Sequence, residues 1–194
     1  MRRRLHRFVL AAAVLPVALA GCGHHSATAK PKLASDSPAA TTSARAARQL
    51  TDGDVTVRGA LVADTAHRPV LDAYLAFWKA YVQASATDNA DSPALRASMT
   101  AAGFTGVRGT LSSAAAAGLT QKGPIVLNPR LDITRNAAVR IIDDCVDLSK
   151  VKVYKNGQDS QPGPAAPQPF VARLEPGGAG YLVASLDLQS TGCS

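Results

Sequence analysis

Apolar residues recur at three- and four-residue steps between Pro69 and about Ser85, which is the spacing of one face of an α-helix. Pro69 suits the first helical turn, where its missing N–H would be unpaired in any case. The pattern predicts a core helix under a sheet, with the alternative that some of its aromatic side chains line a ligand cavity. The apolar positions are Val70, Leu71, Tyr74, Leu75, Phe77, Trp78, Tyr81 and Val82.

Two Ala-rich stretches further along the chain also have helical features. Ser92 stands before a proline and predicts the N-cap of a helix over about Pro93–Ala102, with Gly103 as its stop. A third helical segment is expected from about Thr110 to Ala117. Gly118 would then supply a left-handed C-cap.

From Lys122 onward, apolar and polar residues alternate in short runs, which favours β-strands. In the last run, Leu182, Ala184, Leu186 and Leu188 are expected on one face. The Pro- and Gly-rich stretch Asn156–Pro169 predicts a long exposed loop. Helices followed by an antiparallel meander predict an α+β domain. The runs are Ile125–Leu127, Leu131 with Ile133, Ala138–Cys145, Lys150–Tyr154, Phe170–Leu174 and Tyr181–Leu188.

The N-terminus has the pattern of a secretory leader. Four arginines within the first seven residues precede the uncharged segment Phe8–Ala20, which at about 13 residues is too short to span a bilayer. The run Leu19-Ala20-Gly21-Cys22 looks like a bacterial lipobox. We therefore expect residues 1–21 to be a lipoprotein signal peptide and Cys22 to become a lipidated N-terminus. The alternative is an ordinary signal peptide that leaves a free thiol.

Residues 22–49 are rich in Ala, Ser, Thr and Pro and contain no Phe, Trp or Tyr. Such a segment cannot bury enough apolar area to offset its ordering entropy. We interpret it as a flexible tether between the membrane and a folded domain over residues 50–194. His24 and His25 could bind a transition metal, but no third ligand follows nearby, so a solvated linker is preferred. The expected location is the outer face of the cell membrane.

The formal charge of +7 comes from the leader and the tether. From residue 50 onward the chain has 13 basic and 13 acidic side chains, so the domain is neutral. Nucleic-acid binding requires a basic surface, so a neutral domain makes this function unfavourable. The sequence also contains no phosphate-binding loop, dinucleotide fingerprint or nucleophile elbow, so we expect no cofactor of these kinds and no hydrolase that would depend on His67.

Lipidation of Cys22 would leave Cys145 and Cys193. An even remainder in an oxidising compartment predicts one disulfide, which would close a loop of about 49 residues and contribute roughly 4 kcal/mol. Two free thiols or a redox pair are the alternatives. A redox role is disfavoured because nothing resembles Cys-x-x-Cys.

Three short stretches carry a resemblance to a known group: Ala73–Trp78, Asp144–Asp147 and Gly192-Cys193. They resemble motifs of small secreted or lipid-anchored actinobacterial proteins that have a cystatin-like, NTF2-like cone. The resemblance covers about residues 58–193. It implies N-terminal helices packed on a curved antiparallel sheet and a disulfide from the second motif to the C-terminus. Tyr181 stands where the group usually has Trp, and most members have no assigned activity.

Asp143, Asp144 and Asp147 cluster around Cys145, at the end of the predicted strand Ala138–Cys145. Paired carboxylates can share a proton or hold a cation. Neighbouring residues of a strand point to opposite faces, which weakens a pair made of Asp143 and Asp144. No calcium-type loop follows, so we expect no metal. Asp144 and Asp147 are expected to bind turn amides or a nearby Arg or Lys.

The preferred hypothesis is a non-catalytic, membrane-tethered module that binds a small apolar ligand or a cell-envelope partner. Its candidate cavity residues are Tyr74, Trp78, Tyr81 and Asp143. One alternative is a small isomerase-like enzyme with Asp143 as the base and a tyrosine as hydrogen-bond donor. Another is an accessory subunit of an envelope complex, which would expose an apolar patch above a few hundred Å².

Overall fold

The structure, a computed structural model, describes residues 49–132 and 138–193. The predicted signal peptide, Cys22 and almost all of the tether lie outside the described residues, as does Ile133. A 3-10 turn, Ala60–Ala63, precedes three helices: α1 Arg68–Ala86, α2 Pro93–Ala97 and α3 Ala101–Ala116. The strands are β1 Gln49–Asp52, β2 Val55–Arg58, β3 Leu119–Lys122, β4 Ile125–Leu127, β5 Arg130–Asp132, β6 Arg140–Val146, β7 Lys152–Lys155, β8 Gln158–Pro162, β9 Gln168–Gly177 and β10 Gly180–Leu188.

The domain is α+β, as predicted, but its strands form three sheets rather than one meander. Their orders are β1-β2-β4, β10-β9-β6-β5 and β3-β7-β8, and the pairing of β2 with β4 is parallel. Gly123, whose φ is 131°, and Pro124 redirect the chain, so that consecutive strands β3 and β4 join different sheets. A bridge between Val126 and Asp147 links β4 to the end of β6. Gln49, assigned to the tether from the sequence, pairs with Arg58.

Helix α1 is the centre of the core. It contacts β2, β3 and β10, which are one strand from each sheet. Leu71, Tyr74 and Phe77 on its inner face are fully buried, so the predicted core helix is confirmed, with bounds within one residue of the prediction. Within the described part of the chain, none of the helices combines the length and the apolar character that a membrane crossing requires.

The prediction that Gly103 ends a helix is wrong. Helix α2 ends at Ala97, and Gly103 lies in the first turn of α3, where its N–H donates to the Thr100 hydroxyl at 3.2 Å. A Cβ at Gly103 would stand 2.6 Å from the carbonyl oxygen of Ala184. Gly103 is therefore needed for the close approach of α3 to β10 rather than for termination.

The predicted cap positions Ser92 and Gly118 are confirmed, whereas the predicted start of the third helix is not. The Ser92 hydroxyl accepts a hydrogen bond from the N–H of Leu95 at 3.4 Å, which makes it the N-cap of α2. Gly118 follows α3 with a φ of 69°, the left-handed conformation expected at this position. Helix α3 itself begins nine residues before the predicted Thr110, at Ala101.

Two predictions about the strands need correction. The stretch Asn156–Pro169 is not one long loop, because β8 pairs antiparallel with β7 inside it. In β10, a bulge between Val183 and Ser185 interrupts the alternation. Val183 is consequently fully buried, whereas Leu188 is 60% exposed. A one-residue shift of this kind exchanges the faces that side chains occupy.

Candidate functional site

An apolar cavity of about 200 Å³ lies against the second half of α1. We call it the aromatic cavity. Trp78 and Tyr81, two of the predicted cavity residues, line it from the helix, and Phe170 of β9 faces them from the sheet. The remaining lining residues are Val82, Ser85, Gln121, Gly123, Ile125, Leu148, Val151 and Leu186.

Trp78 organises the aromatic wall. Its indole ring lies edge-on to Phe77, Tyr81 and Phe170, with ring centroids 5.5, 5.6 and 5.7 Å apart. Positions three and four residues apart on a helix lie on one face, which is why the sequence brings Trp78, Tyr81 and Val82 together. Edge-to-face aromatic pairs add about 0.5–1.5 kcal/mol beyond their area burial. The wall is therefore a rigid surface rather than a loose one.

A second cavity, of about 160 Å³, adjoins the first. We call it the helix-end cavity because it lies against the last turns of α1 and α3. Tyr81, Ser85 and Gln121 line both cavities. The residues found only in the second are Ala84, Asp88, Thr110, Leu111, Ala114, Leu119, Val153 and Gln161. No local pattern in the sequence indicates this cavity, because its walls come from five separate elements.

Tyr81 stands at the boundary between the two cavities. Its hydroxyl has no hydrogen-bond partner among the residues that the structure describes, and burial raises its pKa. The hydroxyl of Ser85, by contrast, is occupied: it donates to the carbonyl oxygens of Tyr81 and Val82 at 2.9 and 3.1 Å. The phenol of Tyr81 is thus a polar group that is available to a ligand inside a mostly apolar enclosure.

The other tyrosine of the helix, Tyr74, lines neither cavity. Its hydroxyl donates to Oδ2 of Asp144 at 2.8 Å, and the N–H of Asn128 donates to Oδ1 at 2.6 Å. Tyr74 is fully buried and Asp144 is 3% exposed. Burial raises the pKa of Asp144 to about 6, against the opposing effect of these hydrogen bonds. Burial, followed by the charge of Asp144, raises the pKa of Tyr74.

The prediction that Tyr74 and Asp143 belong to the cavity is therefore corrected. Asp143 is exposed and lies opposite Arg130 in the pairing of β5 with β6, while its neighbour Asp144 points into the core. The alternation along β6 indicates which aspartate is buried, because every second residue, 142, 144 and 146, points into the core. Asp147 binds a turn amide, as expected: it accepts from the N–H of Ser149 at 2.9 Å.

A pocket of about 300 Å³ beside the disulfide is lined by Asp143 and Asp144. The structure pairs Cys145 with Cys193, as predicted, with their Cα atoms 5.6 Å apart, within the usual range for a disulfide. Both carboxylate oxygens of Asp144 beneath this surface already accept hydrogen bonds. Asp143 is exposed in this pocket, whose lining mixes polar residues with Pro169, Phe170 and Val171.

Chemistry outside the cavities is sparse in residues 49–132 and 138–193. This part of the chain contains no group of three His, Cys, Asp or Glu side chains that could hold a metal ion. His67 precedes α1, where its Nδ1 lies 2.7 Å from Oδ2 of Asp64. This pair lies at the start of α1, and neither residue lines the aromatic cavity or the helix-end cavity.

The function of the site has to be inferred from its geometry, because comparisons with known proteins identify no relative. The chain matches no protein-family model and no curated protein. The two adjoining cavities beside α1, with Tyr81 between them, are the arrangement best suited to hold a molecule.

Proposed function

We propose that this chain is a lipid-anchored, extracytoplasmic binding module whose aromatic cavity holds a small apolar ligand. The cavity beneath Trp78 carries this proposal, because it is enclosed mainly by aromatic and aliphatic side chains. A dry apolar cavity of about 150 Å³ takes one benzene ring. The aromatic cavity, at about 200 Å³, suits a single-ring compound or a short alkyl chain.

The anchoring part of the proposal rests on the leader and Cys22. A lipidated Cys22 would carry two or more acyl chains, which hold a protein stably on a bilayer. The tether would then carry the domain clear of the headgroups. Mass spectrometry of the mature protein tests this directly: a diacylglyceryl-modified N-terminal Cys22 supports anchoring, and an unmodified or uncleaved chain contradicts it.

We also propose that the fold is a variant of the NTF2-like cone of the actinobacterial group described above. The packing of α1 against one strand of each sheet supports this, because a helix in the concavity of strands is the main feature of such a cone. The Cys145–Cys193 disulfide fits the same group. The parallel pairing of β2 with β4 departs from the antiparallel sheet that the resemblance implied.

The two alternative functions receive less support. An isomerase-like enzyme required Asp143 in an apolar cavity beside a tyrosine, but Asp143 is exposed. An accessory subunit would expose an apolar patch, yet Leu188 is the one large apolar side chain that is strongly exposed among the described residues. The enclosed cavity therefore remains the best-supported feature.

The single tryptophan of the chain makes the test direct, because Trp78 lines the aromatic cavity. The mature lipidated chain, residues 22–194, in phosphatidylcholine vesicles is titrated with bromooctanol that carries bromine on the terminal carbon. Bromine quenches indole fluorescence on contact, and Trp78 is 2% exposed, so probe in the bilayer would not reach it. Saturable quenching is expected.

Two matched variants separate the cavity from general effects. Val82→Phe places a ring in the aromatic cavity and is expected to abolish saturable quenching. Val107→Phe makes the same change on α3 at a half-buried position that lines neither cavity, and it should leave quenching unchanged. Absence of saturable quenching in the unmodified chain, or equal loss in both variants, contradicts the proposed function.

A further inference from the structure

We propose that the ligand is a cationic amphiphile, with its apolar part in the aromatic cavity and its ammonium group in the helix-end cavity. This inference rests on the proposed function, because it names the chemical class of the ligand for the same site. It depends on three observations: the two cavities adjoin, the second is electronegative, and Tyr81 offers an unpartnered phenol between them.

The cavities follow one another along α1. Trp78, Tyr81, Val82 and Ser85 occupy successive turns of the helix face that lines the first cavity. The face that lines the second is displaced by about one turn toward the C-terminus, through Tyr81, Ala84, Ser85 and Asp88. Seven residues of helix rise about 10 Å. An extended molecule can therefore reach from Trp78 past Tyr81 into the helix-end cavity.

The helix-end cavity has no positive lining. None of the residues around either cavity is Lys or Arg, and Asp88 is the single charged residue among them. No ion pair joins Asp88 to a basic side chain within the described residues. On the neighbouring strands, Lys152 lies 2.9 Å from Asp159, and Lys122 lies over the ring of Tyr154. Lys155 of β7 pairs with Leu119 at the edge of the cavity but is not one of its lining residues.

Two helix C-termini add to this negative character. Helix α1 ends at Ala86 and α3 at Ala116, and Ala84 and Ala114 in their last turns line the helix-end cavity. The C-terminus of a helix carries about half an elementary negative charge, which favours cations nearby. A carboxylate head group would lie near both helix ends and Asp88, with no countercharge among the lining residues. An ammonium group would be stabilised by all three.

Tyr81 completes the arrangement. Tyr81 lines both cavities, and the face of a phenol ring attracts a cation beside it. Its hydroxyl, without a partner among the described residues, can accept a hydrogen bond from an N–H of the same head group. Apolar and polar parts of one ligand are thus separated by a single side chain.

The test compares three probes of equal chain length that differ only in the head group: bromooctylammonium, bromooctanol and bromooctanoate. Each is titrated against the mature lipidated chain, residues 22–194, in phosphatidylcholine vesicles, with quenching of Trp78 as the readout. The ammonium probe is expected to bind at least about threefold more tightly than the alcohol, and the carboxylate to bind most weakly. The preference should shrink at high salt, because exposed charges are screened.

Asp88→Asn isolates the charge contribution. Asn tolerates the left-handed backbone of position 88, where φ is 53°, so folding should be retained, which the circular dichroism spectrum checks. The ammonium preference should fall toward one, while alcohol binding stays the same. Asp143→Asn, an exposed carboxylate outside both cavities, is the matched control and should change neither affinity.

The possible failures point to different conclusions. If bromooctanoate binds as tightly as bromooctylammonium, or if Asp88→Asn weakens all three probes equally, the cationic head group is contradicted and the apolar cavity stands. If none of the three probes quenches Trp78 saturably, the proposed function itself fails, and the inference fails with it.

Discussion

Helix α1 has a tyrosine toward each end of the same face, and the two tyrosines have different surroundings. Tyr74 and Tyr81 are two turns apart. Tyr74 is fully buried and donates to Asp144, whereas Tyr81 lies between two cavities and has no partner among the described residues. The surroundings of each hydroxyl decide the difference: β6 places the Asp144 carboxylate against Tyr74, whereas none of the described residues hydrogen-bonds to the hydroxyl of Tyr81.

This difference separates stability from binding along one helix. At the Tyr74 end, every polar atom of the Tyr74–Asp144 contact is engaged, and the Cys145–Cys193 disulfide follows directly in the chain. At the Tyr81 end, the two cavities leave room for a ligand, and the Tyr81 hydroxyl has no partner among the described residues. Changes at the first end should therefore alter the free energy of unfolding, and changes at the second should alter ligand affinity.

The largest expected effect is the loss of the disulfide. Replacing both cysteines, Cys145→Ser with Cys193→Ser, should lower the free energy of unfolding by about 4 kcal/mol in the chain-entropy model. Urea denaturation with and without reductant measures it. Below the unfolding transition, bromooctanol affinity should stay within about twofold, because the disulfide lines neither cavity. A loss of affinity equal to that of Val82→Phe would show that the two ends are not separate.

The second effect concerns pH. The folded chain binds the proton of Asp144 more tightly than the unfolded chain does, because burial raises its pKa from 3.8 to about 6. This contribution to stability is therefore full below pH 4, falls as the pH rises to about 6 and stays low above it. The difference amounts to about 3 kcal/mol.

Asp144→Asn isolates that contribution. Subtracting its pH profile of unfolding free energy from that of the unmodified chain cancels the exposed carboxylates whose pKa values are lowered, such as Asp91 and Asp147. The difference curve should favour the unmodified chain more at pH 4 than at pH 7. A flat difference curve, or one of opposite slope, contradicts the burial of an ionisable Asp144.

A smaller effect is expected from removal of single hydroxyl groups. Tyr74→Phe leaves Oδ2 of buried Asp144 without its donor and should cost about 1–3 kcal/mol of unfolding free energy. Tyr81→Phe removes a hydroxyl that has no protein partner and should change the same quantity by less than about 0.5 kcal/mol. Thermal and urea denaturation of the two variants compares them directly. Equal destabilisation would remove the distinction between the two tyrosines.

The sequence was sufficient for features set by local periodicity. The strong apolar stripe from Val70 to Val82 predicted α1 closely, and parity of cysteines predicted the disulfide. It was insufficient where tertiary packing overrides a local preference. Gly103 looks like a helix stop, but its place in α3 is decided by contact with the backbone of β10. The bulge in β10 and the parallel pairing of β2 with β4 leave no local pattern either.

The same limit applies to the site. Trp78 and Tyr81 could be proposed for a cavity because they are large aromatic residues on one helix face. Tyr74 shares that face, and only the position of Asp144 on β6 distinguishes it. Asp143 and Asp144 point to opposite faces of β6, and the buried positions 142, 144 and 146 identify Asp144 as the inward carboxylate. The helix-end cavity depends on the meeting of α1 and α3 with the β3-β7-β8 sheet, which no single stretch of sequence shows.

The most direct test of the account measures bromooctanol affinity in the matched variants Tyr74→Phe and Tyr81→Phe by quenching of Trp78. A lost hydrogen bond of about 1 kcal/mol corresponds to roughly fivefold in affinity. We expect Tyr81→Phe to weaken binding by about that factor and Tyr74→Phe to leave it within about twofold, although Tyr74→Phe is the less stable protein. Equal weakening in both, or weakening by Tyr74→Phe alone, would contradict the assignment of the ligand site to the Tyr81 end.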